Sequence, residues 1–530
     1  MAQIVSDNFI KIAKSAQKTP EFRVMISWTK EIRQDACFFE LNTTKLDEGI
    51  LKGSNDVVTL YDRYDYTDES RFVKNFEISR KVSNYAWGVV SARAKITLTN
   101  RSGRFLLGGE LGTNLTTGRP VKIMVGYAGE MITIFTGFLG VPKINIVEGT
   151  VEFEAFDVMT FFNDKKASKQ YIDNKNLTEI INQLMDEQGF GSEQYKIGDG
   201  LTRKYPFLYT AGKSLTDLFS DFSRNETALI SADENGILNF TKIQNLIKKD
   251  TRKWDFNYYN VTDLAISESD IINSVKVNSE YYRELGVGSV FDLSSANTGE
   301  VYSVPPRSKR SFWFEYRDGV DLAADVDSFD QEFRSSITGG HVLNGVMATG
   351  YNFLDKYKLE ANNTTNTTAF LTKFSLFGRI INKFKESPVI ITNSNSIEKY
   401  GINPNDSTGA WGKPLEYDTS LYGTVVEAGM IVKSNYDTMN EVGQAITSIH
   451  SEPNQQFKIS NFMVPHLQIG DIVGLNIETS KEDHDCVILG STIKGGVNAN
   501  FRQELYLQVI PDQRWFTLDN SKLDSGDILL

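Results

Sequence analysis

Pro465-His466-Leu467-Gln468-Ile469-Gly470-Asp471-Ile472-Val473 is the stretch on which the reading of this chain turns. Gly470 can take a positive φ, and the Asp471 carboxylate can accept from nearby backbone N–H groups, so the pair predicts a corner that feeds a strand at Ile472. Upstream, Met439, Val442, Ile446 and Ile449 recur at helical spacing while Asn440, Glu441 and Gln444 fall on the other side. This predicts a short amphipathic helix from Tyr436, closed by a turn at Pro453. A strand from Gln456 to Val464 enters the corner. Two more, Cys486 to Ile493 and Phe501 to Val509, leave it as a hairpin around the polar turn Gly495 to Asn500.

Two segments far upstream carry related signals. Ala92 to Phe105 reads ARAKITLTNRSGRF, a strand that ends in an Asn-x-x-Gly-Arg-Phe corner, and Val125 to Gly140 reads VGYAGEMITIFTGFLG, a hairpin that ends in an apolar-Gly-aromatic step. Taken in order with the Pro465 to Val473 corner, these motifs resemble phage tail-hub and baseplate-hub proteins, related to the hubs of contractile injection systems. The resemblance spans most of residues 21 to 510.

Composition sets the outer bounds. At 530 residues the chain suits three or four domains rather than one core. Aromatic residues make up 12%, with 22 Tyr and 33 Phe, and this bias favours strands. A net charge of −12 argues against a nucleic-acid-coating role, which needs clustered Lys and Arg. Two cysteines, Cys37 and Cys486, are too few for a disulfide framework and fit assembly in a reducing compartment such as a host cytoplasm. No secretory signal heads the chain and no run of eighteen apolar residues appears, so no membrane span is expected.

The expected fold is mainly β with a small α/β module: two barrel-like domains, the second interrupted by a β-sandwich insertion. Residues 1–20 form an N-terminal arm, with Phe9 and Ile12 on one side of a short helix capped by Ser6. Residues 21–165 form the first barrel, in which Ala94-Lys95-Ile96-Thr97-Leu98 and Val151-Glu152-Phe153-Glu154-Ala155 alternate at the strand period. Residues 166–250 form the module, with one helix started by Asn176 and Glu179 as a capping box and a second started at Ser214. Residues 251–287 and 391–510 form the second barrel, opened near Val275. Residues 288–390 form the inserted sandwich, and 511–530 a docking tail carrying Trp515, Phe516 and Leu518.

The sequence holds no constellation of an enzyme. His341, His450, His466 and His484 are scattered without metal-ligand spacing, and no phosphate cradle or nucleophile elbow is present. Glu482-Asp483-His484-Asp485-Cys486 reads as a charged hairpin tip rather than a cation site. Asp62, Asp65, Asp68 and Glu69 have the oxygen density for calcium but lack the loop spacing of a calcium hand. Glu152 and Glu154 read as solvent-face charges rather than a glycosidase pair. The run from Lys248 to Lys253 reads as a solvated linker. Neither a cofactor nor a metal is expected. In the aromatic run Phe312-Trp313-Phe314 with Tyr316, alternation sends Phe312 and Phe314 one way, into a sandwich core, and Trp313 the other; Trp313 and Tyr316 are the candidates for stacking on sugar rings.

The resemblance implies a structural virion protein: the homotrimeric central hub of a tail tip or baseplate. It would join a hexameric tail tube to a threefold tip and line the channel through which DNA passes in transit. Implied partners are the tube or distal tail protein, the tip or spike protein and the tape measure protein. Phe9, Ile12, Trp515, Phe516 and Leu518 are the candidate docking residues. The alternative is a receptor-recognition tail protein that grips host surface glycan through the inserted sandwich.

Overall fold

The computed structural model describes residues 3–15, 18–29, 64–82, 88–106, 108–242, 245, 252–257, 261–268, 270–293, 301–403, 413–420, 425–427, 430–433, 435–453, 455–477, 482–497 and 500–510. The chain is mainly β, and its largest element is a 14-stranded sheet. Eleven strands follow one another in the order Val261–Glu268, Gln455–Asn461, Arg502–Val509, Glu482–Gly495, Val73–Lys81, Arg93–Thr99, Thr150–Phe156, Glu130–Leu139, Pro120–Tyr127, Glu21–Ile26 and Thr67–Asp68. Trp254–Asn257 joins through Ile472–Ile477, which pairs with the N-terminal half of Glu482–Gly495.

Two strand groups, 21–156 and 254–509, therefore meet in one sheet. The seam is the antiparallel pairing of Val73–Lys81 with the C-terminal half of Glu482–Gly495, running from Phe76 opposite Gly495 to Lys81 opposite Gly490. Alternation explains why one face of the sheet forms a core. In Arg93–Thr99, Ala94, Ile96 and Leu98 are buried while Arg93 and Lys95 face out. Val24, Ile96, Val125 and Phe153 of the first group lie in the same core as Trp254, Ile459, Val473, Ile488 and Leu505 of the second. Each such side chain contributes about 1.5–3 kcal/mol when it leaves water.

Two helices and a hairpin form a separate core. Asn176 and Glu179 make the reciprocal cap of Leu177–Glu187, and Ser214 with Asp217 caps Leu215–Glu226 in the same way. Ile180, Leu184, Leu218, Phe219 and Phe222 pack against Ile230 and Phe240 of the hairpin Ala228–Ala232 and Leu238–Lys242.

Further along, a three-stranded sheet of Ser308–Glu315, Lys356–Asn363 and Val346–Asn352 packs on a six-stranded sheet that contains Ile272–Asp292, Leu322–Arg334 and Ala369–Lys385. Phe291, Phe312, Phe314, Leu359, Phe374 and Leu376 fill the space between them.

Residues 272–287 depart from the expectation that Val275 opens a second barrel. Ile272–Asp292 is one 21-residue strand that belongs wholly to the six-stranded sheet. Its first half pairs antiparallel with Val389–Thr392 and parallel with Lys413–Ser420. The amphipathic helix Asn435–His450 covers this half, setting Met439, Val442 and Ile446 on Val275 and Val277. The reason is area: an alternating strand buries its apolar face under whatever complementary face the topology brings to it. Its own sequence does not say which sheet supplies its neighbours.

Candidate functional site

The Asn100 to Phe105 corner is built around a buried ion pair. Gly103, at φ +71°, donates its N–H to the Asn100 carbonyl at 3.0 Å, and the Asn100 Oδ1 accepts from the Phe105 N–H at 3.0 Å. The chain thus turns so that Phe105 packs with Trp28 and Phe153 inside the core. Arg104 points back and forks onto Glu69, with Nη1 to Oε2 at 2.6 Å and Nη2 to Oε1 at 3.1 Å. Trp28 Nε1 donates to the same carboxylate at 2.7 Å, and Glu69 is fully buried. Of the acidic cluster with calcium-like density, Asp62 lies outside the described residues, Asp68 caps Ser70 at 2.9 Å, and Glu69 is this ion-pair partner.

The Pro465 to Val473 corner closes largely through its backbone. Gly470 has φ +84°, and its N–H bonds the Ile488 carbonyl at 2.8 Å while Ile488 returns a bond to the Asp471 carbonyl at 3.0 Å. Asp471 Oδ2 accepts from the Gln468 N–H at 2.8 Å. His466 is buried between Phe9 and Trp254, with ring centroids 5.9 and 5.4 Å away, and burial pulls its pKa down to about 4.

The arm helix Asp7–Lys14 docks on its own chain at this corner. The Gln3 N–H bonds the His466 carbonyl at 2.9 Å, Gln3 Nε2 bonds the Thr133 carbonyl at 2.7 Å, and the Ser6 N–H bonds Glu130 at 2.9 Å. Phe9, expected to anchor a neighbouring protein, is only 1% exposed and packs on Tyr127 with ring centroids 5.2 Å apart. Ile12 is half-buried against the same core. An amphipathic helix this short gains its stability from tertiary packing, and the nearest apolar surface here is internal. Trp515, Phe516 and Leu518 lie outside the described residues, as does Cys37.

Glu234, at the tip of the module's hairpin, locks the module to both strand groups. Its carboxylate takes the Arg80 guanidinium of the first group and the Gln468 amide of the second corner, and its backbone carbonyl takes the Thr136 hydroxyl. Glu234 and Arg80 are both buried, so the contact is an ion pair set in a low-dielectric joint. Nothing in the local sequence marks Glu234, since Asp233 to Gly236 reads as an ordinary hairpin turn.

Two surface features complete the candidates. The segment after Leu139 carries Val141, Ile144, Ile146 and Val147 in the open, with Val147 97% exposed. Its strand Lys143–Asn145 pairs with Thr150–Phe156 and, among the described residues, with no other strand. On the three-stranded sheet, Trp313 is 51% exposed while Tyr316 is half-buried, its hydroxyl tied to Asn352 Oδ1 at 2.6 Å. The structure separates that pair, sets Phe353 against Trp313, and places Tyr351 across Lys358 on the same face. The signal for them is present in Met347 to Phe353, where every second residue turns outward in the edge strand.

Four of the carboxylates weighed for chemistry are engaged in ion pairs. Asp483 and Asp485 hold Arg252 at 3.0 and 2.5 Å, Glu152 pairs with Lys95 at 2.9 Å and Glu154 with Lys143 at 3.3 Å. Among the described residues no group of three His, Cys, Asp or Glu side chains is placed to hold a metal ion. Cys486 is buried, and burial pushes its thiol up to about 12. No described helix is long and apolar enough to cross a membrane.

No family profile and no curated protein matches the sequence. Among solved structures the fold is similar to the 43 kDa tail protein of prophage MuSo2 from Shewanella oneidensis, at 12% identity and TM-score 0.43 over 84% of this chain and 95% of that one. It is similar to a tail protein from Neisseria meningitidis MC58, at 7% identity and TM-score 0.43 over 84% and 94%. It is also similar to prophage tail protein gp18 from Listeria monocytogenes EGD-e, at 12% identity and TM-score 0.38 over 85% and 93%.

Proposed function

We propose that this chain is the structural hub subunit of a phage tail tip or baseplate and works as a homotrimer. The observation that carries the reading is the 14-stranded sheet, in which two strand groups from distant parts of the sequence are fused over one core. Two such groups per chain give six around a threefold ring, the number needed to meet a hexameric tube on one side and a threefold tip on the other. The sequence corners at Asn100 to Phe105 and Pro465 to Val473 support the same reading, one in each group.

The joint at Glu234 suits this role, because it ties the module to both groups and makes the subunit a stiff block. The exposed apolar segment Val141 to Val147 supplies the contact between copies, since water disfavours an apolar patch left uncovered. A net charge of −12 would give the channel a wall that repels the DNA backbone and lets the genome pass. Tube, tip and tape measure proteins are the partners of this assembly, which places it in the virion tail. Sedimentation of the full chain tests the proposal: a mass three times that of the chain is expected, and Ile146→Asp with Val147→Asp should reduce it to the monomer. A monomeric parent protein, alone and mixed with its tube protein, would refute the hub.

A further inference from the structure

The outer face of the three-stranded sheet holds an arrangement that the hub role does not use. Trp313 stands directly opposite Lys358, and Lys358 directly opposite Tyr351, so the three side chains form one row across the sheet. Phe353 joins the row with its ring 5.3 Å from the indole. Trp313, Tyr351 and Phe353 are 51%, 44% and 37% exposed, although Phe312, Phe314, Tyr357 and Leu359 of the same sheet are buried on the inner face. A sheet that has already filled its core gains nothing from three more open aromatic rings.

Two ammonium groups flank the rings: Lys356 Nζ is 5.3 Å and Lys358 Nζ 5.7 Å from the indole centroid. Lys358 also bonds Glu360 at 2.5 Å, whereas Lys356 makes no ion pair among the described residues. Glu315 stands opposite Lys356 in the register without pairing with it, so the ammonium beside the aromatic platform is open to an anion.

We infer that this face, centred on Trp313, Tyr351 and Phe353 with Lys356 and Lys358, binds an anionic polysaccharide. Flat rings match the C–H faces of hexose units, and the ammonium groups take the phosphate or carboxylate substituents along the polymer. The inference does not rest on the hub reading.

Affinity electrophoresis of the full chain through gels containing phosphomannan, polygalacturonate or neutral dextran provides the test. Retardation by at least one of the two anionic polymers, and not by dextran, is expected, and which one retards identifies the anion. Trp313→Ala should weaken binding about tenfold, Trp313→Phe should keep most of it, and Lys356→Gln should weaken it a few-fold and flatten its salt dependence. Trp313 lies outside the core, so Trp313→Ala should melt like the parent; if it does not, Tyr351→Ala serves in its place. No retardation by either anionic polymer, equal retardation by dextran, or unchanged binding by both alanine variants would overturn the inference. A fall in native mass on Trp313→Ala would assign the face to a second copy of the chain and overturn it as well.

Discussion

The two corners that organise the large sheet reach the same geometry by different means. At Asn100 to Phe105 the turn is held from outside, by Glu69, which lies 35 residues earlier and, buried and bonded by Trp28, grips Arg104. At Pro465 to Val473 the turn is held from within, by Asp471 on the Gln468 N–H and by paired backbone bonds to Ile488. A long-range ion pair makes the first corner dependent on the fold around it. The second forms with its own hairpin, and what it takes from the rest of the molecule is the Glu234 carboxylate on the Gln468 amide and a cover of the arm helix and Trp254 over His466.

The largest expected effect tests the external anchor. Glu69→Gln removes the buried carboxylate from Arg104 and leaves the guanidinium with only the exposed Glu110, which should destabilise the first strand group by up to about 3–5 kcal/mol. Glu110→Gln removes only the partner that is 70% exposed and should shift stability by less than about 0.5 kcal/mol. Thermal unfolding of the two variants checks this, and equal effects would show that the buried pair is not the anchor.

Acidification should act on the other corner. His466 titrates near 4 when folded and near its ordinary value when unfolded, so between those values the unfolded chain binds the extra proton. Stability from this group is therefore present above about pH 6.5 and lost as pH falls towards 4, up to about 3 kcal/mol in all. Hydrogen exchange should show the arm helix and residues 465–473 losing protection over that range, ahead of residues 100–105. His466→Gln should remove this pH dependence; a corner that loosens equally in the variant would trace it to another group.

A further effect bears on what the corners share. Gly103 and Gly470 both have positive φ, and a side chain at Gly103 would meet only Leu106 Cδ1, at 3.5 Å. Gly103→Ala should cost about 1–2 kcal/mol from backbone strain alone, and Gly470→Ala at least as much, because Gly470 is also buried. A markedly larger loss at Gly103, in melting temperature, would mean that the two turns are not equivalent.

Local features of the fold were legible because they rest on local physics. Asn176 with Glu179 reads as a capping box since its partners sit three residues apart, and Ala94, Ile96 and Leu98 read as a buried face since alternation needs only the strand itself. Val275 was misplaced because apolar alternation is the same in every sheet, and only the covering helix Asn435–His450 fixes its layer. Phe9 was assigned to a partner because an amphipathic helix announces a need for cover, not the source of it. Tyr351 and Phe353 escaped notice because a strand with one exposed face looks the same whether that face is bare or used.

By itself, the sequence determined the class of the protein: a mainly β chain with two glycine corners and a small helical module, each set by residues within a few positions of one another. Only the tertiary structure decided that the two strand groups fuse along Phe76 to Lys81 and that Glu234 locks the module to both. It alone placed Glu69 under Arg104, and Phe353 against Trp313. Those contacts join residues that lie tens to hundreds of positions apart, and their pairing follows from burial and register across the whole sheet, which no single stretch of sequence encodes.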